Sequence, residues 1–359
     1  MSSCMLRDRL VSLIPLSLRQ HIKSGLAALK LLLVRIGASN GFFASVYYTL
    51  FSRKFYREHK AVLQARLEFA RRVKLPHKTS ARLRRNIHRL EKGLIMRPRR
   101  PVFAEAYIDE TLNAYQAALQ SKTLCARELG WATDVLSQYF AVVSDNVVIA
   151  KARQRFSNLT ANTEVSGTAV PYAHHSLPEN PVTFDALHTL FQRRRSVRWY
   201  QQKAVETALV QKAIDAASLA PTACNRQPYQ FYLINNSQKA AEVAKCAMGT
   251  VGFADNIPCL IVVVGDLSAY EAERDRHVIY IDAALASMQL MLALEALGLQ
   301  SCPINWPDEE ARERDMAFKL GLDYWQRPVM LLATGYAEPN GGVPYSQKKP
   351  ATQLIREID

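Results

Sequence analysis

The chain has 359 residues, of which 49% are hydrophobic and 22% charged, which suits a folded protein of two domains and excludes a disordered or fibrous one. Its net charge is +14, but residues 1–100 carry 23 Lys and Arg against four Asp and Glu, a balance of +19, so residues 101–359 sum to −5. The six scattered Cys form no C-x-x-C pair and no His stands at metal-ligand spacing. We therefore expect neither a disulfide framework nor a metal site, and a reducing, cytoplasmic location.

The first predicted element is an apolar segment within residues 1–55. The apolar run 10–18 is short and contains Pro15, so we do not expect a signal peptide. The uncharged run 36–51 has 16 residues, fewer than the roughly 20 that span a bilayer. One helix face is apolar, formed by Leu26, Leu29, Leu32, Leu33 and Ile36. Two interpretations stay open: a segment lying on an anionic membrane surface at the inner face of the membrane, or an ordinary helix packed on its own domain.

Residues 61–100 predict two further helices. The first runs to about residue 72, Pro76 interrupts the pattern, and a second, basic helix runs to about residue 93 with Thr79 or Ser80 as its N-cap. The arginines between Arg84 and Arg100 either bind an anion or form a solvated face. No DNA-binding or RNA-binding motif accompanies this charge, so we do not expect a nucleic-acid partner.

Residues 101–150 predict two helical pieces separated near residues 121–125, which makes residues 1–156 a basic, all-α domain. Residues 157–183 contain three Pro, many Ser, Thr and Asn, and two formal charges, a composition typical of an exposed linker. We therefore place the second domain at residues 184–359.

The second domain alternates between helical and strand patterns. Helices are predicted at 184–194, 205–217 and 280–297, and strands at 230–234, 259–264, from about 301, and at 329–333. The strand 260–264 is apolar at every position, which indicates burial on both faces of its sheet. The predicted fold class is α+β, a three-layer domain with a covered sheet.

Two polar segments of this domain predict a ligand site. Arg194, Arg195, Ser196 and Arg198 concentrate fixed positive charge and a hydroxyl, which suits a phosphate. The turn 220–228 offers amide and hydroxyl groups that suit a flat polar heterocycle. Together they indicate a phosphorylated, ring-bearing cofactor.

These two segments resemble the R-R-S-x-R-x-[FY] and P-S-x-x-N-x-Q-P-[WF] motifs of the nitroreductase family of FMN-dependent oxidoreductases. Residues 298–302 and Gly335-Tyr336 are similar to the G-L-x-S-C end of that family's long central helix and to the end of its last core strand. The four motifs occur in the family's order, and the resemblance covers about residues 184–359.

The resemblance implies FMN as cofactor, NADH or NADPH as electron donor, and a homodimer in which the turn reaches the flavin of the other subunit. The implied cofactor-binding residues are Arg194, Arg195, Ser196, Arg198, Pro221, Thr222, Asn225, Gln227, Pro303, Ile304, Asn305 and Lys348. Residues 303–306 correspond to a loop whose backbone N–H approaches the flavin N5. Asn305 and Trp306 depart from the glycine that many relatives carry there, so they either reshape the substrate pocket or, for Trp306, belong to the core. The cofactor carries the chemistry, so no catalytic side chain is expected.

We therefore expect an FMN-dependent NAD(P)H oxidoreductase that reduces a small organic acceptor, such as a nitro compound, a quinone or a dedicated biosynthetic intermediate, in two alternating half-reactions. The alternative is a degenerate flavin domain that serves as a scaffold, with the basic helices binding a membrane, a polyanion or a protein partner. A bound flavin that is bleached by NAD(P)H would support the enzyme over the scaffold.

Overall fold

The computed structural model describes residues 15–161 and 165–358, apart from the side chains of Leu16 and Arg19. Most of the run 10–18 lies outside the described residues. The chain divides into two compact units between His59 and Lys60. The division proposed from composition, with a linker at 157–183, remains a prediction; that segment lies within the second unit.

The first unit contains two helices that keep large apolar side chains exposed. Helix α1 spans Leu16–Gly37 and helix α2 spans Gly41–Leu50. Asn40 caps α2, because its side chain accepts a hydrogen bond from the Phe43 N–H at 3.0 Å. The exposed apolar side chains are Leu18, Ile22, Leu26, Leu29, Leu31, Leu32, Val34, Ile36, Phe42, Phe43, Tyr48, Leu50 and Phe51.

Five helices follow up to residue 160. They are α3 (Tyr56–Lys74), α4 (Ala81–Leu94), α5 (Ile108–Gln120), α6 (Ala126–Val142) and α7 (Val147–Thr160). Ser80 caps α4 as predicted, since its Oγ accepts a hydrogen bond from the Leu83 N–H at 3.3 Å. The expectation of only two helical pieces after residue 101 was wrong: α7 is a third, capped by Asn146, and it extends into the first residues of the predicted linker.

Helices α4 to α7 enclose their own hydrophobic core. Its fully buried members include Leu90, Ile108, Tyr115, Leu136 and Ile149. Each comes from a helix whose apolar residues recur every three or four positions, so the helical period places them on one inner face.

The rest of the predicted linker has little regular structure in its described part, residues 165–183. A single 3₁₀ turn spans His174–Ser176. Its first residues are anchored by Asp134 of α6, whose carboxylate accepts hydrogen bonds from the N–H groups of Gly167, Thr168 and Ala169 and from the Ser166 hydroxyl. The segment is therefore fixed to the helical region at one end.

The sheet of the second half has four antiparallel strands in the order β1-β2-β4-β3. The strands are β1 (Tyr229–Ile234), β2 (Cys259–Asp266), β3 (Gln300–Asn305) and β4 (Gln326–Gly335). The helices are α8 (Phe184–Arg193), α9 (Thr207–Ala217), α10 (Ser237–Ala244), α11 (Val278–Ala296), α12 (Glu310–Leu320) and the short α13 (Ala351–Leu354).

Both faces of this sheet are covered, which confirms the predicted α+β three-layer domain. On β2, Leu260, Val262 and Val264 share a core with α10 and α12, whereas Ile261 and Val263 share a core with α9 and α11. Side chains alternate between the faces of a strand, so two apolar layers require β2 to be apolar at consecutive positions.

Helix α11 belongs to one of these covering layers. By length and composition the segment Glu273–Ala296 could cross a membrane, as the core helix of a globular domain also could. Here Ala283, Leu290 and Leu294 of α11 lie in the core beneath the sheet. The same helix leaves Ile281, Leu285 and Met288 exposed on another face.

Arginines of the basic helices α3 and α4 form ion pairs with carboxylates of the sheet domain. Arg66 pairs with Glu273, Arg72 with Asp266 at 2.8 Å, and Arg85 with Glu271 at 3.1 Å. Part of the positive charge of residues 60–100 therefore pairs with the acidic second half and is not simply a solvated face.

Candidate functional site

The arginine clasp, defined here as Arg194, Arg195, Ser196 and Arg198, follows α8 and runs beside the edge strand β3. Ser196 forms a parallel bridge with Ser301, and the Val197 N–H donates a hydrogen bond to the Ser301 carbonyl at 3.1 Å. These backbone contacts fix the positions of the clasp side chains on a rigid sheet edge.

Tyr200 anchors the end of the clasp. Its side chain is buried, and its hydroxyl donates to the Val197 carbonyl at 2.6 Å, with the Ala333 carbonyl at 3.1 Å. Burial raises the pKa of this phenol well above its usual range, so Tyr200 stays neutral and holds the backbone of the clasp against β4.

The clasp side chains surround the buried thiol of Cys302. Burial raises the pKa of Cys302, while Arg198, Arg194 and a hydrogen bond from Ser196 act in the opposite direction. These three clasp residues therefore lie near Cys302 on β3, and their predicted binding of a phosphate stays a prediction.

Several buried polar atoms near this point have no hydrogen-bond partner among the described residues. Within the described part of the chain, the buried Nε of Arg194 and the hydroxyls of Ser301 and Thr334 have no hydrogen-bond partner. Buried polar atoms are normally paired, and an unpaired guanidinium donor suits an anionic acceptor such as phosphate. The residues present thus fit the phosphate of FMN.

The turn that carries Asn225 is conformationally unusual. Cys224, Asn225 and Gln227 have φ values of 54°, 51° and 49°, in the left-handed region that non-glycine residues rarely occupy. The Thr222 hydroxyl closes the turn by accepting a hydrogen bond from the Gln227 N–H at 3.2 Å. Strain of this kind costs about 1 to 3 kcal/mol per residue and persists only where the surroundings impose it.

Two groups outside the turn impose this conformation. On α11, the buried carboxylate of Asp282 accepts a hydrogen bond from the Ala223 N–H at 3.0 Å. On α4, Arg84 donates from Nε to the Asn225 carbonyl at 2.7 Å and from Nη2 to Gln227 Oε1 at 3.1 Å. A third Arg84 nitrogen pairs with the buried Glu128 at 3.0 Å, so the helical region braces the turn.

These contacts assign different roles to the polar side chains of the turn. Gln227 uses its amide to hold the turn, because its Nε2 also donates to the Ser218 carbonyl at 2.8 Å. The Asn225 side chain is half-buried and has no hydrogen-bond partner among the residues described, so its amide is available to a ligand. Pro221 is exposed beside it.

No hydrogen bond or ion pair within the described ranges joins the turn to the clasp. The turn lies against α4 and α11, whereas the clasp lies beside β3 and β4. In one copy of the chain these two predicted parts of the site therefore contact different elements.

Residues 303–306 differ from the predicted loop. Pro303, Ile304 and Asn305 belong to β3 and pair with β4, so the strand continues to Asn305, whose side chain is exposed at its end. Trp306 lies in the core, and its indole N–H donates to Glu313 at 2.9 Å. Of the two interpretations of Trp306, the structure therefore supports the core residue.

Lys348 lies in the C-terminal segment, and its side chain is exposed. No contact described here joins it to the clasp. Its assignment to the phosphate stays a prediction.

No group of three or more His, Cys, Asp and Glu that could hold a metal ion occurs in the described parts of the chain. His88 and Glu91 are 3.2 Å apart, and Glu91 also accepts a hydrogen bond from the Trp131 indole. This pair is satisfied by protein contacts.

Sequence reasoning missed Arg84, Glu128 and Asp282. Only Asp282 left a signal in the sequence, as one of two carboxylates, with Glu295, in the otherwise apolar long helix. Arg84 is 141 positions from Asn225 and sits among many other basic residues, so nothing marked it as a brace.

Comparison with known proteins identifies the second half. The model of the nitroreductase family matches residues 191–336. Human iodotyrosine deiodinase 1 is 22% identical over 219 residues, which cover 52% of this chain and 74% of that protein. A putative NAD(P)H nitroreductase of Bacillus subtilis is 25% identical over 193 residues, covering 44% of this chain and 90% of that protein.

Among solved structures, an FMN-dependent nitroreductase from Clostridium difficile is similar at 21% identity. It covers 47% of this chain and 98% of its own, with a TM-score of 0.41.

The covered sheet, the clasp and the matched motifs define a flavin oxidoreductase domain. The family match over residues 191–336 and the nitroreductase relatives support assigning the C-terminal half to the nitroreductase family, a family that generally uses FMN.

Proposed function

We propose that the protein is an FMN-dependent oxidoreductase that takes electrons from NADH or NADPH and passes them to a small organic acceptor in two alternating half-reactions. The observation that supports this most directly is the arginine clasp, where the buried Arg194 Nε has no partner among the residues described. FMN, when bound, would supply the redox chemistry through its isoalloxazine ring.

The chain's own residues would hold and orient this cofactor. Arg194, Arg198 and Ser196 would bind the phosphate through charge-assisted and hydroxyl hydrogen bonds. The Asn225 amide would contact the polar edge of the ring, held in place by Arg84 and Asp282. The exposed end of β3 at Asn305 would border the substrate side.

The acceptor is not fixed by the fold, since one family includes relatives named for nitroreduction and for deiodination. A nitro compound, a quinone and a dedicated biosynthetic intermediate all fit this proposal.

The test is the absorption spectrum of the purified full-length protein. We expect a flavin spectrum whose released cofactor is FMN, and anaerobic NADH or NADPH should bleach it. A colourless protein that also fails to take up added FMN would instead support the scaffold alternative.

We further propose a homodimer formed through α11. Ile281, Leu285 and Met288 are 58%, 45% and 40% exposed and recur at helical spacing on one face, which is an unpartnered apolar stripe. A dimer through this face would bring the turn of one subunit toward the clasp of the other, which supports the proposal because in one chain they contact different elements.

Light scattering on the full chain tests the dimer. We expect a dimer for the wild type and a monomer with reduced flavin content for Leu285→Glu. The matched variant Val251→Glu, at an exposed apolar residue outside α11, should remain dimeric. A flavin-loaded wild-type monomer would contradict the proposal.

We also propose that the basic N-terminal region attaches the protein to the anionic inner face of the membrane, from the cytoplasm. Residues 1–100 carry the +19 balance, and α1 and α2 leave large apolar side chains exposed. Each basic residue near an anionic bilayer contributes about 1 kcal/mol, and salt screens that attraction within a Debye length of about 10 Å at 0.1 M.

Sedimentation with liposomes tests this attachment. The full-length protein should bind anionic liposomes at low salt, bind less as salt rises, and ignore zwitterionic ones. Leu29→Gln with Leu32→Gln should weaken binding, whereas Val251→Gln should not. Equal sedimentation with both lipids, or none with either, would contradict the proposal.

A further inference from the structure

A cavity of about 600 Å³ lies between the helical region and the sheet domain, within the second unit. One wall is the end of α3, the connection 75–80 and the first turn of α4. The other is formed by residues 226–230 together with Asp266, Ser268, Ala269 and Gln326. Its volume lies within the range of about 300 to 1,000 Å³ that is typical of small-molecule sites. Much of the first wall lies outside the family match at 191–336.

The lining of this cavity is strongly cationic. Its basic residues are Arg71, Arg72, His77, Lys78, Arg82 and Arg226, and its one carboxylate is Asp266. Neighbouring carboxylates neutralise three of the arginines: Glu68 and Asp266 pair with Arg71 and Arg72, while Glu110 and Glu271 lie 3.5 and 3.7 Å from Arg82.

Lys78 and Arg226 have no carboxylate partner within 4 Å in the described part of the chain, although the buried Asp282 carboxylate interacts with Arg226 electrostatically from a greater distance. Lys78 is exposed at the rim, whereas Arg226 is only 8% exposed and lies over the Tyr270 ring at 4.6 Å. A buried guanidinium without a directly paired carboxylate is costly, and its Nε has no hydrogen-bond partner, so Arg226 favours an anion in the cavity.

Other unpaired donors surround the same cavity. Within the described ranges, the Nε atoms of Arg82 and Arg226 and the Tyr229 hydroxyl are buried and have no hydrogen-bond partner. Donors from α4, from the segment after the turn and from β1 therefore meet at one cavity.

We propose that this cavity binds the phosphate group of a small molecule. A tetrahedral phosphate accepts hydrogen bonds from several directions at once, which matches donors on three different elements, and arginine favours it through paired N–H groups. The ligand would contact residues 226–230, directly after the turn that carries Asn225. The site is separate from the arginine clasp beside β3, so the proposal does not depend on FMN binding.

Calorimetric titration of the full-length protein with pyrophosphate tests the proposal, with inorganic phosphate and citrate as further probes at matched ionic strength. We expect saturable binding of pyrophosphate that is tighter than that of citrate. Arg226→Gln should weaken it at least tenfold and Lys78→Gln severalfold, with Arg274→Gln as a matched control because that side chain is 75% exposed outside the cavity.

Variants of the arginine clasp distinguish phosphate binding at this cavity from phosphate binding at the clasp. Arg194→Ala with Arg198→Ala should leave pyrophosphate binding at the cavity unchanged while it removes flavin. Should this double variant abolish pyrophosphate binding while Arg226→Gln and Lys78→Gln retain it, the clasp would be the only phosphate site. Tighter binding of citrate, or no saturable binding by the folded wild type, would also overturn the proposal.

Discussion

At the scale of single residues, Arg84 connects the helical region to the turn. It joins Glu128 of the helical region to the Asn225 carbonyl and the Gln227 amide through three nitrogens. The planar guanidinium can form all three bonds at once, which a lysine cannot. Its role is positional, because it fixes backbone that holds Asn225 and does not itself reach the proposed flavin edge.

We expect Arg84→Gln to lower the free energy of unfolding by about 3 to 5 kcal/mol, since it leaves buried Glu128 without its ion partner. The same variant should retain less FMN because the turn is released. Urea unfolding and flavin content measure the two effects, with exposed Lys92→Gln on the same helix as control. Unchanged stability together with unchanged flavin content would show that the turn does not need this brace.

A second residue-scale prediction concerns the buried pair behind Trp306. Arg327 is buried, and its Nη2 lies 3.1 Å from Glu313 and 2.9 Å from Asp308. Burial acts to lower the pKa of Arg327, but Tyr280 and the carboxylates Glu313 and Asp308 outweigh it and raise the pKa, so the Arg327 guanidinium stays charged.

Glu313→Ala should therefore destabilise the fold by about 3 to 5 kcal/mol, because it leaves a buried guanidinium without its fully buried partner. Urea unfolding measures this, and Glu310→Ala, at an exposed residue of the same helix, should change stability little. Equal effects of the two substitutions would contradict the buried-pair argument.

At the scale of elements, the sheet domain was predictable and the contacts between distant segments were not. Continuous apolar runs such as 260–264 mark buried strands, and the observed β2 extends the prediction by two residues at its end. The left-handed residues of the turn carried no glycine to reveal them. Residues 303–305 were assigned to a loop from the family resemblance, whereas they continue β3 and pair with β4.

The anchor of segment 166–169 gives an element-scale prediction. Burial would raise the pKa of Asp134, but hydrogen bonds from Ser166, Ala169, Gly167 and Thr168 outweigh it, and the net pKa is lowered. A carboxyl with a lowered pKa stabilises the fold above its unfolded value, about 3.9, and this contribution is lost as pH falls through the lowered value.

Asp134→Asn should accordingly be less stable than the wild type at neutral pH, and the difference should shrink as pH falls below about 4. Urea unfolding across this range measures the difference, and chymotrypsin should cleave the variant faster at exposed Tyr172. A stability difference that stays constant with pH would show that the carboxylate does not act through its charge.

At the scale of the whole molecule, charge is divided between the two halves. Residues 1–100 carry a net charge of +19, whereas residues 101–359 carry a net charge of −5. Within the second unit, Arg66, Arg72 and Arg85 form ion pairs with carboxylates of the sheet domain. Salt should therefore weaken helix-to-sheet packing as well as any attachment to an anionic surface, and the exposed pairs contribute only about 0 to 1 kcal/mol each.

In the proposed function, the C-terminal half holds FMN through the arginine clasp. The most direct measurement is the ratio of FMN to protein in the purified wild type and in Arg194→Ala with Arg198→Ala. A matched double variant, Arg274→Ala with Arg314→Ala, removes two well-exposed arginines elsewhere. Each charge-assisted bond contributes about 1.5 to 3 kcal/mol, so we expect near-full occupancy in the wild type and control and a nearly flavin-free but folded clasp variant. Full flavin occupancy in the clasp variant would contradict the account.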